Sequence, residues 1–329
     1  MRAIILAAGA GRRLGLSMPK SMIDLAGRSI LHRQLDAFRS AGVDDFVVVV
    51  GHAREQVIEH LADQPGRFTF VLNERYAETN TVYSLYLARK YIDRDFFYAN
   101  ADVVFDARLP RRLVDFAACP DRATKQSEPG AQATGQGAPF SRDPSLLRRS
   151  SFGCEGWKGN DHLRSEPQAQ ARGQVPRGPQ SEPGAPGGTG LRSTEGAMQT
   201  RGPGPALAGE PAAALAVQVG RCGEEEVKVI VRDGRIVRIS KKLDPADCLG
   251  EFVGVALFRA GLAGAFRAAL ETCVEKENAV TDYFERAVDR LCDDWPLTPV
   301  DVSDLPCIEI DFPEDLTRAR QDILHRLQT

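Results

Sequence analysis

Two hydrophobic patterns alternate along the N-terminal third of the chain. Short apolar runs occur at residues 3–8, 46–50 and 96–99, and 68–72, interrupted only by Thr69, reads as another strand. Runs of this length without polar alternation are expected of strands covered on both faces, as in a parallel sheet. Between the first two, Ile30, Leu31, Leu35 and Phe38 recur at helical spacing, with Ser29 placed to cap the helix and Gly42 to end it. Residues 53–63 and 81–91 read as two further helices. Strand alternating with helix predicts βαβ units, and with them an α/β fold, a three-layer α/β/α sandwich around a mixed, mostly parallel sheet.

The pattern stops near residue 122 and resumes near 212. Between them the chain is rich in Gly, Pro, Ser, Gln and Ala, and it repeats itself: QSEPGA stands at 126–131 and again at 180–185. Such a composition buries too little apolar surface to offset an ordering entropy of ~1–2 kcal/mol per residue. Residues 123–211 are therefore expected to be a low-complexity disordered insertion in one domain, whose two parts are 1–122 and 212–329. In the second part, AAALAVQV and EEEVKVIV predict strands, and Asp233-Gly234 signals a hairpin whose return strand is 236–240. A strand at 251–258, helices at 261–275 and 281–292, a short strand at 307–310 and a last helix from about Glu314 complete the expectation.

Composition narrows the function classes. Of 329 residues 43% are hydrophobic and the formal net charge is −3, so no global basic surface suggests nucleic acid or a membrane as partner. Any anion must be held by local groups. The seven cysteines are scattered without a C-x-x-C pair, which disfavours a disulfide framework or zinc site and suits a reducing, cytoplasmic setting. The start, MRAIILAAGA, faintly resembles a signal peptide, but its apolar run is short and broken at once by glycines and arginines; a buried first strand is the better reading.

Candidate chemistry begins where that strand ends. LAAGAGRRLGLSMPK, residues 6–20, sets three glycines, two arginines and a Pro-Lys pair after an apolar run. A dinucleotide fingerprint needs G-x-G-x-x-G, whereas Gly9, Gly11 and Gly15 are spaced G-x-G-x-x-x-G, and residues 46–50 run into Gly51-His52 rather than an acidic residue. A Walker loop needs Lys after its last glycine, and Leu16 follows Gly15. A glycine turn whose backbone N–H groups approach phosphate oxygens, flanked by fixed positive charge, remains.

This string, L-A-A-G-x-G-x-R-L followed by P-K, resembles the signature of the sugar-nucleotidyltransferase superfamily. NERYAETNTVYSLYLAR at 73–89, GEFVGVALF at 250–258, DYFERAVDRL at 282–291 and IEIDFPEDLTRAR at 308–320 resemble its phosphocholine and 2-aminoethylphosphonate cytidylyltransferase branch. The resemblance implies a Rossmann-like nucleotidyltransferase fold. It also implies transfer of CMP from CTP to a phosphocholine-like or aminoethylphosphonate-like acceptor, with release of pyrophosphate.

Carried over position by position, the resemblance makes Arg13 and Lys20 the catalytic cations. Leu6, Ala8, Gly9, Gly11, Arg12 and Asn80 become the nucleotide contacts. Mg²⁺ is the implied cofactor, held by Asp102 and Asp311, each at the end of an apolar run, where ligands of an open α/β sheet gather. Asn100 stands where many relatives carry Asp, which puts any second metal in doubt. Ser84, Tyr83, Lys241, Lys242 and Glu251 are the acceptor candidates; which of the two lysines faces the site is open. Tyr83 and Tyr86, three apart on a helix, and Tyr283 and Trp295 could face a quaternary ammonium, or pack in the core. His52 is not needed as a base, because the acceptor oxygen is already ionised. Two alternatives stand beside this one: a sugar-1-phosphate or inositol-phosphate nucleotidyltransferase, and a non-catalytic nucleotide-binding regulatory subunit.

Overall fold

The computed structural model describes residues 1–15, 18–118 and 211–327, with the backbone alone at Arg12. They all fall within one compact unit, Met1–Gly130 together with Arg201–Thr329. The expected insertion lies outside the described residues except at its last position, Pro211, which is buried.

In chain order the strands and helices are β1 (Arg2–Ala7), β2 (Asp24–Leu25), β3 (Arg28–Ser29), α1 (Ile30–Ser40), β4 (Asp45–Val50), α2 (Arg54–His60), β5 (Arg67–Leu72), α3 (Thr81–Leu87), β6 (Phe96–Asn100), β7 (Val103–Phe105) and α4 (Arg108–Ala118). The second part adds β8 (Ala213–Val219), β9 (Lys228–Arg232), β10 (Arg235–Ser240), β11 (Gly250–Phe258), α5 (Ala263–Glu271), α6 (Glu285–Asp289), β12 (Leu297–Asp301), β13 (Cys307–Glu309) and α7 (Pro313–Arg318). Among the described residues the main sheet has nine strands, ordered β10-β9-β11-β6-β1-β4-β5, with β8 paired to β11 and β12 paired to β8. The β6-β1-β4-β5 core is parallel, and β11 joins it antiparallel through β6. The mixed, mostly parallel sheet expected from the apolar runs is the one observed.

Alternate residues of the central strands feed opposite cores, as the two-residue period of a strand requires. Ile4, Leu6, Val47 and Val49 pack with Leu85 of α3 and Phe266 of α5 on one side. Ala3, Ile5, Val48 and Val50 pack with Leu35 and Phe38 of α1 and Leu113 of α4 on the other. The sheet is therefore the middle layer of three. Burial of all six β1 residues makes the N-terminal run the centre of the sheet, which explains why it is apolar on both faces. Among the described residues no helix is long and apolar enough to cross a membrane.

Several elements differ from the pattern-based expectation. β7, α4, β12 and the β2-β3 hairpin were not foreseen, being short or masked by charge: α4 reads RLPRRLVDFAA yet buries Leu109, Leu113 and Ala117 along one stripe. The helix expected over 281–292 contracts to α6, because the chain before it crosses the start of α3 instead. There Asn80 N–H donates to Val280 O at 2.9 Å, and Phe284 N–H to Thr81 Oγ1 at 2.8 Å. The strand expected over EEEVKVIV begins only at Lys228. Lys228 is 1% exposed, and its ammonium donates to the carbonyls of Gly223, Glu224 and Glu226 at 3.1, 2.9 and 3.1 Å. Those three acceptors curl residues 223–226 into a loop that a straight strand could not form.

Candidate active site

β1 delivers the glycine turn to the carboxyl end of the sheet. Gly11 has φ of +59°, and a Cβ there would lie 2.9 Å from Lys20 Cγ, so glycine at this position both permits the backbone turn and clears the lysine stem. Gly9 is exposed, with open space where a Cβ would be. Leu6 and Ala8 are buried under the turn: Leu6 O accepts from Ala101 N–H at 3.2 Å, and Ala8 O from His52 N–H at 3.1 Å. The Ala101 bond ties the turn to the segment carrying Asp102. His52 has its ring centroid 5.8 Å from that of Tyr76, in a tilted contact.

Lys20 opens a single 3₁₀ turn after Pro19 and reaches across to both aspartates. Its Nζ is 3.5 Å from Asp102 Oδ2 and also donates to Asp311 Oδ1, across 291 positions of sequence. Arg13 Nη1 lies 3.5 Å from Asp311 Oδ2. The four residues placed together by sequence reasoning as cations and carboxylates thus share one site. The Arg12 side chain lies outside the described atoms.

A fifth residue of the cluster, Glu309, escaped sequence reasoning. Oxygens of Asp102, Glu309 and Asp311 lie within 4.8 Å of one another and could hold a metal ion. The signal was present, since Glu309 and Asp311 are two apart at the end of a strand and so share a face. Burial depresses the Lys20 ammonium, but Asp102 and then Asp311 outweigh it and hold its pKa above the ordinary value. The Asp102 carboxyl is raised, by burial first and by Asp311, with Lys20 opposing. Glu309 keeps an exposed surface, yet its carboxyl is pushed up to about 8, by lost hydration and then by Asp102 and Asp311. Three carboxylates so close, with one ammonium between two of them, make a cluster that could hold a cation. Its all-oxygen donor set suits Mg²⁺.

The lysine pair separates cleanly. The charge of Lys241 is felt by Glu251, Glu285 and Glu309, and its Nζ stands 4.4 Å from the centre of the Tyr283 ring. Lys242 is exposed, and its backbone N–H donates to Ser240 Oγ. Lys241 is the one turned toward the carboxylates. Beside Glu309 opens a cavity of about 170 Å³ lined by Gln218, Glu226, Glu251, Cys307, Glu309 and Arg318, among others. The Glu251 carboxyl is pushed up to about 7, by burial first and then by Glu226, while Lys241 and Arg318 oppose the shift. Glu226, carried by the loop that Lys228 pins, has a buried Oε2 without a hydrogen-bond partner among the described residues.

The α3 candidates sit differently. Asn80 caps α3, its Oδ1 accepting from Thr81 N–H at 2.8 Å. Ser84 is 5% exposed and its Oγ accepts from Asn73 Nδ2 at 3.0 Å, so the hydroxyl supports the Asn73–Asn80 turn rather than opening to solvent. Tyr83 stacks near Tyr86 and carries the Arg75 guanidinium over its face at 5.3 Å. The structure does not bring Ser84 or Tyr83 into contact with the carboxylate cluster. Trp295 is 8% exposed and packs in the core.

Glu285 on α6 is also close to this region and was not foreseen. It is 5% exposed, its Oε2 has no partner among the described residues, and burial pushes its carboxyl up to about 7, opposed by Lys241. The folded pKa lies above the unfolded one, so the native state holds the proton more tightly. Stability is then full below about pH 4.5 and is lost as pH rises toward and through 7. Glu285→Gln is expected to flatten that loss and to stabilise the protein by about 1–3 kcal/mol at pH 8, with little change at pH 4.5. Urea titrations at both pH values measure it, and equal midpoint shifts at the two pH values would contradict it.

Comparisons with known proteins bear on the family and the fold. Residues 3–151 match the MobA-like NTP transferase domain. The chain is 39% identical over 126 residues to CMP-5'-(3-aminopropyl)phosphonate synthase of Streptomyces rubellomurinus, a match covering 37% of this chain and 20% of that protein. It is 38% identical over 112 residues to choline-phosphate cytidylyltransferase of Haemophilus influenzae, covering 33% and 47%. The chain thus spans less than half the length of either curated relative. In fold it is similar to CTP:phosphocholine cytidylyltransferase from Streptococcus pneumoniae, with a TM-score of 0.58 at 15% identity over 97% of both chains. It is also similar to inositol-1-phosphate CTP transferase from T. maritima, with a TM-score of 0.56 at 17% identity over 100% and 98% of the two chains.

Proposed function

We propose, from the match of residues 3–151 to the MobA-like NTP transferase domain, that this enzyme transfers CMP from CTP to a small phosphorylated or phosphonate acceptor bearing a positive amine, releasing pyrophosphate. The observation that carries the reading is the meeting of Lys20, from the glycine turn, with Asp102 and Asp311. Chain similarity to proteins named for phosphocholine and aminopropylphosphonate supports the acceptor class.

An ionised oxygen of the acceptor attacks the α-phosphorus of CTP, and pyrophosphate leaves in line, so no strong base is required. Backbone N–H groups of the Gly9–Gly11 turn bind phosphate oxygens, with Leu6 and Ala8 beneath them. Arg12 and Asn80 flank the nucleotide. Lys20 and Arg13 stabilise the charge that builds on the phosphates as the transferred group passes between oxygens. Asp102 and Asp311, with Glu309 beside them, would hold Mg²⁺, which when bound neutralises triphosphate charge. Lys241 orients the acceptor phosphate. Glu251 and Glu226, facing one small cavity without ion-pair partners among the described residues, receive the acceptor's ammonium; Tyr83, Ser84 and Lys242 stay outside that contact.

Pyrophosphate release with CTP and a panel of phosphocholine, 2-aminoethylphosphonate, inositol 1-phosphate and glucose 1-phosphate tests the reading. Turnover with the amine-bearing acceptors is expected. Turnover only with the sugar or inositol phosphates would overturn the acceptor class, and CTP binding without turnover of any would favour a regulatory subunit. Glu251→Gln is expected to raise KM for an amine-bearing acceptor about 10- to 100-fold while leaving KM for CTP unchanged, since a charged hydrogen bond of ~1.5–3 kcal/mol is lost. Equal effects on both substrates would place Glu251 elsewhere.

A further inference from the structure

We propose that Phe312 is a positioning residue, whose ring is the platform that holds the Arg13 guanidinium over the phosphate-binding turn. The proposal rests on the nucleotidyl-transfer reading above.

Phe312, three positions beyond the end of β13, is a large apolar ring that is 48% exposed. It belongs to none of the three apolar clusters. What it does touch is Arg13, whose guanidinium carbon lies 5.3 Å from the ring centre. The same guanidinium pairs with Asp311 at 3.5 Å. Both neighbours of Arg13 therefore come from one dipeptide, Asp311-Phe312.

That dipeptide is held rigidly. Asp315 Oδ2 accepts from the backbone N–H of Asp311 at 3.0 Å and from that of Phe312 at 2.8 Å. The other side of the contact is anchored too. Leu14 N–H donates to Gly11 O at 3.1 Å, and the Leu14 side chain packs on the cluster containing Ile308, Ile310 and Ala319. The C-terminal strand and helix thus form a wall against which the N-terminal turn is set.

The chemistry of stacking suits this task. An aromatic platform engages the flat face of a guanidinium and leaves its edge N–H donors free. When triphosphate oxygens arrive, Arg13 can exchange the Asp311 carboxylate for phosphate without leaving the ring. The exchange frees an Asp311 oxygen from its ion pair, and the platform lowers the ordering cost of a long side chain that is 58% exposed even beside the ring.

The test compares Phe312→Ala, Phe312→Leu and Phe312→Tyr, each alone and in an Arg13→Ala background. Phe312 stands outside the apolar clusters, so the melting temperature should change little. Phe312→Ala should raise KM for CTP about 3- to 10-fold, leaving KM for the acceptor unchanged. Phe312→Leu should remain impaired, because it has bulk but no π face, and Phe312→Tyr should restore CTP affinity. In the Arg13→Ala background Phe312→Ala should add nothing. An unchanged CTP KM in Phe312→Ala, full function in Phe312→Leu, or an undiminished effect without Arg13 would overturn the proposal. Calorimetric titration of CTP with Mg²⁺ separates the two readings. Wild-type protein that binds CTP but turns over no acceptor refutes the transfer reaction, while the variants' CTP affinities still decide the role of Phe312. Wild-type protein that does not bind CTP overturns both.

Discussion

Lys20→Ala is expected to cut turnover of CTP by two to three orders of magnitude, from the loss of about 3–4 kcal/mol of transition-state stabilisation that removal of one well-placed electrostatic contact typically causes. On the proposed reading Lys20 acts at the transferring phosphate. It leaves the glycine turn beside Gly11, its stem fills the space a Cβ there would need, and its ammonium stands between Asp102 and Asp311. The two aspartates keep it protonated through neutral pH against the opposing effect of burial. The same contact makes a second, opposite prediction. In the free protein Lys20 competes with any divalent cation for Asp102 and Asp311, so removing it should tighten Mn²⁺ binding while turnover collapses. Pyrophosphate release under saturating CTP, together with Mn²⁺ titration by electron paramagnetic resonance, reads both quantities. A variant that loses turnover and metal affinity in parallel would make Lys20 a structural prop of the carboxylate site rather than a phosphate ligand.

How much of this was legible in the sequence depends on the range of the interaction. The parallel core and the glycine turn are written in contiguous residues, because a doubly covered strand must be apolar throughout and a tight turn must place glycine at positive φ. Asp102 and Asp311 were legible for the same local reason: each follows an apolar run, so each had to emerge at a strand end. The partition of Lys241 from Lys242 was not legible. Both follow β10, and only the packing of that strand beside the Glu251 and Glu285 elements decides which ammonium faces inward. The surroundings of Ser84 and Tyr83 were not legible either. Helical spacing places them correctly on α3, but spacing does not reveal that Asn73, from the preceding turn, engages the Ser84 hydroxyl, or that Arg75 covers the Tyr83 ring. Glu226 was hidden inside an apparent strand, which the buried Lys228 ammonium converts to a loop by gathering three carbonyls. Phe312 carried no local signal, because its partner lies at the other end of the chain.

Asp102→Asn carries the second large effect, and it separates charge from shape. The amide keeps the size of the side chain and most of its packing. What it removes is a negative charge in a place where charge is costly: burial and Asp311 both raise the Asp102 carboxyl, and Lys20 offsets them only in part. The variant should therefore fold at least as stably as the parent protein, because a half-buried like-charge contact has been relieved. Catalysis should move the other way. With one of the three carboxylates gone, the site keeps Asp311 and Glu309, too little charge to hold a divalent cation tightly against Lys20. The Mg²⁺ concentration giving half-maximal rate should rise more than ~10-fold, and the maximal rate should fall ~100- to 1,000-fold even at saturating metal. Urea unfolding and pyrophosphate release across a Mg²⁺ series measure the two directions in one preparation. Near-normal Mg²⁺-dependent turnover in Asp102→Asn would show that the metal is held elsewhere. A large loss of stability would show instead that the Lys20–Asp102 contact is a structural ion pair, and the meeting of the glycine turn with the two strand-end aspartates would then serve the fold rather than the reaction.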